Sequence, residues 1–304
     1  MMGFALLEYL SARGYLKKGS SVLDVGSQNL MNCTLDGMIK FAQAHRAAPL
    51  TASDLTEIER LHYFSTPRPG ERTLFVGEYL KLTDISYQGI DVCPAPETDI
   101  VDLNWQRVPP DQRGKYDLVL NLGTTEHLVD QTNAMAYMHD ALKVGGVFFH
   151  QPPSVGWINH GYFVYHPQFY RDIAAANDYQ ILDEWYSQSS VGPLLDETVP
   201  VRSAANPGEE GTLPAPSSIE YYNFNTVLKK VIDEPFRLKL ELATSHSRVD
   251  GTTGAAYSNG INIMELHDQQ AIKQPAPSLS NVPAQVMMRS LAIRAARRVK
   301  RIIR

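Results

Sequence analysis

The sequence predicts an α/β protein with a doubly wound, mostly parallel sheet, and two observations carry that expectation. Short apolar runs end repeatedly in an acid or a glycine: residues 21–25 before Gly26, 87–90 before Asp91, 99–101 before Asp102, and 116–122 before Gly123. Such runs read as buried parallel strands, whose polar ends face a crevice where ligands bind. Between them lie segments with apolar residues at helical spacing, the alternation that builds an α/β fold.

In chain order, Phe4, Leu6, Leu7, Leu10 and Tyr15 predict a leading helix. Residues 21–25 are the first strand, and Gly26 turns the chain at its end. About sixty residues then separate Gly26 from the strand before Asp91, far more than one crossover needs. An insertion over about 30–72 is therefore expected, with helices over 34–45 and 53–64, Ser53 capping the second, and a break at Pro67-Arg68-Pro69-Gly70. Two readings of it stand, a cover over substrate and a surface embellishment. Residues 73–82 supply the crossover helix. After the strand over 116–122 come a helix over 133–142, a fifth strand over 147–150 stopped by Pro152-Pro153, a helix over 169–177 and a sixth strand over 181–186. Five prolines within 189–218 predict a Pro-rich loop rather than a packed element. A strand over 225–231 follows.

The ordered pieces VLDVGS, YQGIDV, DIVDLN, YDLVLNLGTTEHL and LKVGGVFFHQPP resemble the class I S-adenosylmethionine-dependent methyltransferases, over roughly residues 20–190. The resemblance implies a seven-stranded sheet whose seventh strand is antiparallel. Residues 245–260 and 273–284 are rich in Gly, Ser, Pro and Asn, so a domain over 1–270 is expected, followed by a linker and tail over 271–304. The resemblance also implies S-adenosylmethionine as cofactor, with Asp24, Gly26 and Ser27 beside its methionine part. Asp91 would take both ribose hydroxyls, Asp102 and Leu103 would face the adenine, and Asn121 and Gly123 would complete the fourth strand end. Many members carry Gly-x-Gly-x-Gly in the first turn; here Gln28 and Leu30 stand at the second and third glycine positions. A pyrophosphate needs those glycines for close approach, so a nicotinamide-dependent oxidoreductase is the weaker reading. A non-catalytic binding module that retains the fold is the alternative to an enzyme.

Methyl transfer to oxygen or nitrogen needs the acceptor lone pair in line with the sulfonium methyl and a group to take the acceptor proton. His127, Glu126 and His150 are the candidates, with His160 and His166 behind them. The other reading of Glu126 is a helix-end acid, since acids favour the N-terminal turn. The aromatic stretch over 157–165 suits a small-molecule or glycan acceptor, and equally a core. Beyond Glu126 and Asp130 no tight acidic cluster stands out, so no metal is expected.

At 43% hydrophobic and 20% charged residues the composition is that of a globular protein. No run approaches the roughly 20 apolar residues of a membrane span, and the first residues lack a basic start, so a cytoplasmic protein is expected. Cys33 and Cys93 are too few and too isolated for a disulfide framework. Charge is unevenly spread. Arg289, Arg294, Arg297, Arg298, Lys300, Arg301 and Arg304 stand in the last sixteen residues without an acid, and the rest holds 21 basic against 33 acidic residues, a net of −12. With the stripe Leu291, Ala295, Val299 and Ile302, residues 286–304 read as a basic amphipathic helix suited to an anionic membrane surface, and equally to packing on the domain or to a subunit contact. The acidic body speaks against nucleic acid.

Overall fold

The computed structural model describes residues 1–66, 70–157, 160–188, 198–202, 210–214 and 221–237. One compact unit runs over Met1–Leu240, and the remainder, Glu241–Arg304, lies outside the described residues together with the expected boundary near 270 and the basic tail. Among the described residues no helix is long and apolar enough to cross a membrane.

The chain opens with β1 (Met2–Gly3), α1 (Phe4–Ala12), β2 (Ser21–Val25) and β3 (Leu30–Met31), followed by the helices α2 (Leu35–Ala44), α3 (Ala52–Tyr63) and α4 (Val76–Leu80). It continues with β4 (Ser86–Asp91), β5 (Thr98–Ile100), β6 (Tyr116–Asn121), α5 (Gln131–Ala141), β7 (Leu142–His150), β8 (Pro153–Val155), α6 (Pro167–Ala176) and β9 (Gln180–Gln188). Last come β10 (Thr198–Arg202), β11 (Glu210–Pro214) and β12 (Tyr222–Lys229). The main sheet runs β5-β4-β2-β6-β7-β12-β8, with β9 also paired to β12. The first five strands of that order are parallel, and β12 is antiparallel to β7 and β9, as expected of the last strand.

Side chains of period two divide the core between the two faces. Val22, Leu118, Leu120, Phe149 and Val227 point into one cluster, and their neighbours Leu23, Val119, Phe148 and Leu228 into the other. The first cluster is completed by Phe4, Leu7, Leu10, Met38, Phe41, Ile58, Leu61 and Tyr79, that is, by α1, the inserted helices α2 and α3, and the crossover helix α4. The second is completed by α5 and α6. The insertion is thus neither a surface embellishment nor only a cover; without it one sheet face would lose Met38, Phe41, Ala42, Ile58 and Leu61 from its core.

Several expectations are corrected. The sheet has eight strands, not seven, because β8 begins at Pro153, where a proline needs no ladder donor, and adds onto the end of β12. The crossover helix shrinks to the five residues of α4. The stretch 189–218 is not wholly loop: β10 and β11 form an antiparallel pair within it. The two-residue strands β1 and β3, which pair in parallel, are too short to leave a periodic signal. The cap of α3 is Thr51, not Ser53. Thr51 Oγ1 accepts from Asp54 N (3.2 Å) while Asp54 Oδ2 accepts from Thr51 N (2.8 Å), a reciprocal capping box. Thr51→Ala is accordingly expected to cost about 1 kcal/mol in urea unfolding, and Ser53→Ala a few tenths at most; the reverse ranking would restore Ser53 as the cap.

Candidate active site

Chain connections leave β2 toward β4 and β5 on one side and resume with β6 and β7 on the other, so the strand order reverses between β2 and β6. Ligands in open α/β sheets sit beyond the strand ends at such a reversal. Here the two turns meet. Gly26 has φ +99°, and a Cβ on it would fall 2.0 Å from Thr124 Oγ1, which donates to Val25 O at 2.6 Å. Only glycine permits both the backbone angle and the approach.

Asp24 ends β2 fully buried. Its Oδ2 accepts from Gln28 N (2.9 Å) and Tyr87 OH (2.7 Å), while Oδ1 has no hydrogen-bond partner. Burial raises its pKa to about 6 against the opposing pull of those two bonds. The α-amino group of Met1 donates to Gln28 Oε1, and although burial lowers its basicity, Asp24 and Glu126 act to raise it. Burial outweighs the two acids, so the ammonium at the end of β2 is disfavoured on balance. Ser27 (φ +32°) turns its hydroxyl toward Thr98 Oγ1, 2.6 Å away, so its side chain braces β5 and its backbone is what borders the crevice.

Asp91 ends the neighbouring strand. Its Oδ1 accepts from Cys93 N (2.9 Å), and among the described residues no other donor reaches the carboxylate. The next residue, Val92, is 59% exposed, an apolar surface beside that acid which sequence reasoning did not single out. Asp102 is already engaged: Oδ1 accepts from Asn104 N and Nδ2, and Oδ2 from Trp105 Nε1. Leu103 is buried in the cluster with Val25 and Ile90. Asn121, also buried, donates to Thr125 Oγ1 (2.9 Å) and to His150 Nδ1 (3.2 Å), fixing the turn after β6 rather than facing solvent. Gly123 has φ +84°, and a Cβ there would stand 3.0 Å from Glu126 Oε1.

Glu126 and His127 lie in a short helical turn, Thr125–His127, directly after β6. Glu126 does not cap α5, since Asp130 does so by accepting from Asn133 N (2.8 Å). Its side chain is fully buried with neither carboxylate oxygen hydrogen-bonded. His127 Nε2 stands 3.8 Å and His160 Nε2 3.3 Å from Glu126 Oε1, and the two imidazoles are half-exposed. His160 is brought there by backbone: Tyr162 N and Phe163 N both donate to Glu126 O (2.8 and 3.1 Å), and Gly161 lies so close that a Cβ would meet that oxygen at 2.9 Å. Burial pushes His127 below the usual imidazole range; Glu126 opposes this and His160 adds to it.

His150 and His166 do not join them. His150 is buried between Phe148 and Tyr170, with centroid separations of 5.6 and 4.9 Å, and burial depresses its pKa to about 3. A base must meet the proton it takes, so His150 is corrected to a neutral core residue. His166 caps α6, accepting from Gln168 N at 3.2 Å. A separate concavity of about 730 Å³ opens at the other end of the sheet, where β7 begins. Its charges are paired: Arg113 with Asp140 (3.3 Å), Lys143 with Asp117 (2.5 Å), and Lys230 with the carbonyls of His139 and Leu142.

No protein-family profile matches the chain, and no curated protein does. Among solved structures, a putative methyltransferase from Bacillus halodurans C-125 is similar at 11% identity, covering 75% of this chain and 99% of that one, with a TM-score of 0.38. A putative sarcosine dimethylglycine methyltransferase from Galdieria sulphuraria is similar at 10% identity, covering 75% and 84%, with a TM-score of 0.40. The 1,6-didemethyltoxoflavin-N1-methyltransferase of Burkholderia thailandensis, solved with S-adenosylhomocysteine, is similar at 12% identity, covering 75% and 76%, with a TM-score of 0.35. Identities and scores this low say nothing of the substrate or reaction of this chain.

Proposed function

We propose that the chain is an S-adenosylmethionine-dependent methyltransferase that moves a methyl group to an oxygen or nitrogen of a small-molecule or sugar-containing acceptor. The observation that carries this reading is a pair of acids at adjacent strand ends beside the strand-order reversal. Asp24 offers a buried, unpartnered oxygen to an amino acid's ammonium, and Asp91 offers a carboxylate suited to a ribose diol. Between them, the backbone of Gly26 and Ser27 would border the methionine chain. The acids Asp24, Asp91 and Glu126 also make the crevice favourable for a sulfonium cation. Val92 gives the adenine an apolar surface, and Asp102, held by its own turn, an acceptor at its edge.

The acceptor's hydroxyl or amine meets the group of Glu126, His127 and His160, which follows β6 and promotes loss of its proton. Tyr162 and Phe163, 59% and 37% exposed, flank this group with aromatic faces suited to a sugar or a flat ring. Asn159 and Ile158, within the same stretch, lie outside the described residues.

Calorimetry tests the cofactor directly. S-adenosylmethionine and S-adenosylhomocysteine are expected to bind, and NAD not to. Asp91→Ala is expected to weaken binding about tenfold or more, since hydrogen bonds to a charged group contribute about 1.5–3 kcal/mol. A folded Asp91→Ala protein with unchanged affinity would place the ribose elsewhere. Absence of any binding to the parent chain would leave the non-catalytic module as the reading. Incubation with cell extracts and labelled cofactor, read as a mass gain of one methyl group, then identifies the acceptor.

A further inference from the structure

We propose that Glu126, His127 and His160 hold a divalent transition-metal cation at the acceptor side of the site. One ligand atom from each of the three residues lies within 4.8 Å of the others. Two ligands each about 2.1 Å from a tetrahedral zinc stand roughly 3.4 Å apart; Glu126 Oε1 is 3.3 Å from His160 Nε2 and 3.8 Å from His127 Nε2. The set is close to coordination geometry before any ion enters.

A second observation points to a bound cation. Glu126 is fully buried, yet both of its carboxylate oxygens lack a hydrogen-bond donor. A bare carboxylate removed from water costs several kcal/mol unless a charge or donors compensate. Space around the carboxylate is kept by two glycines: a side chain at Gly123 would press on Oε1 at 3.0 Å, and one at Gly161 on Glu126 O and Cγ at 2.9 and 3.0 Å. His160 is positioned by its amide, which donates to Trp157 O (3.3 Å), and by its ring, which packs 4.6 Å from the indole of Trp157.

The donor set selects the ion. Two imidazoles and one carboxylate without a thiolate suit zinc, iron, cobalt, nickel or manganese better than magnesium or calcium. The half-exposed imidazoles leave the remaining coordination positions open toward solvent, the arrangement of a catalytic rather than a structural centre. There the cation binds the acceptor oxygen and lowers its pKa. The O–H bond then breaks with its proton passing to water, the new O–CH3 bond forms, and the CH3–S bond breaks with its electron pair staying on sulfur. This catalytic role rests on the methyltransferase reading; the cation site itself does not.

The test uses the full chain without cofactor. Titration with Co2+ is expected to give d–d absorption stronger than that of aqueous Co2+, saturating at one equivalent, and Zn2+ to displace it. Glu126→Gln and His160→Ala should each weaken binding at least tenfold, with the fold checked by circular dichroism. Should Glu126→Gln not fold, His160→Ala and His127→Ala decide. Spectra no different from aqueous Co2+, or affinity unchanged in the folded variants, would overturn the site. Calorimetry with S-adenosylmethionine alone separates the two proposals: metal binding without cofactor binding removes the methyltransferase reading and keeps the cation site, and the converse removes only the site.

Discussion

Gly26→Ala is expected to destabilise the protein by on the order of 2–5 kcal/mol, read as a lower urea midpoint with an unchanged m value. Two costs add. Holding alanine at φ +99° costs about 1–3 kcal/mol. Forcing a Cβ to within 2.0 Å of Thr124 Oγ1 displaces a side chain bonded to Val25 O and costs a similar overpacking amount. The causes are separable by a double-mutant cycle. Thr124→Ala removes the hydroxyl and the methyl from the contact but leaves the backbone angle, so the double variant should recover part of the loss. Strict additivity of the two substitutions would show that the steric contact between the turns is not responsible.

Asp24→Asn and His150→Gln are expected to change the pH dependence of stability in opposite directions. His150 is held near pKa 3 in the folded protein, against 6.5 when unfolded, so between those values the unfolded chain binds the extra proton and acid destabilises. Each tenfold change in proton affinity is worth about 1.4 kcal/mol, so moving from pH 7.5 to pH 4 should cost about 3 kcal/mol through this residue. The hydrogen bond from Asn121 Nδ2 to His150 Nδ1 agrees in sign, because a protonated Nδ1 could no longer accept it. Asp24 acts the other way. Its folded pKa, about 6, lies above the 3.8 of an unperturbed aspartate, so stability is lost as pH rises from about 4 to 6 and regained on acidification. Over the same interval it returns about 2 kcal/mol, offsetting most of the His150 loss in the parent chain.

The single variants expose what the parent conceals. With His150→Gln the remaining Asp24 response should make the protein more stable at pH 4 than at pH 7.5, relative to the parent difference. With Asp24→Asn the loss on acidification should deepen, and stability at pH 7.5 should rise, since a buried carboxylate with one orphaned oxygen is replaced by an uncharged amide. Urea midpoints of the three proteins at the two pH values decide it, and parallel profiles would remove both assignments. Asp24→Asn should meanwhile weaken S-adenosylmethionine binding, so a gain in stability accompanied by a loss of affinity is the mark of a ligand seat.

The strands were legible because they are buried on both faces and must be continuous apolar runs, with their polar ends marking the crevice. Gly26 and Asp91 follow from that pattern, and Thr34, which accepts from Gly37 N at 3.1 Å, begins α2 where helical spacing starts. Thr51 was missed in favour of Ser53 because both are cap-forming residues two positions apart, and only the reciprocal bonds with Asp54 distinguish them.

The sequence by itself determined the alternation of strands and helices, the acids at the strand ends and the adjacency of Glu126 to His127. These are local properties, set by side-chain period and by neighbours along the chain. Tertiary structure alone decided that the insertion forms a core layer, that Thr124 rests on Gly26, that His150 is sealed away from the crevice, and that His160 comes to the Glu126 carboxylate from 34 positions downstream. The reason is that backbone pairing across strand ends and the burial of a polar group depend on residues distant in sequence, which no local pattern encodes.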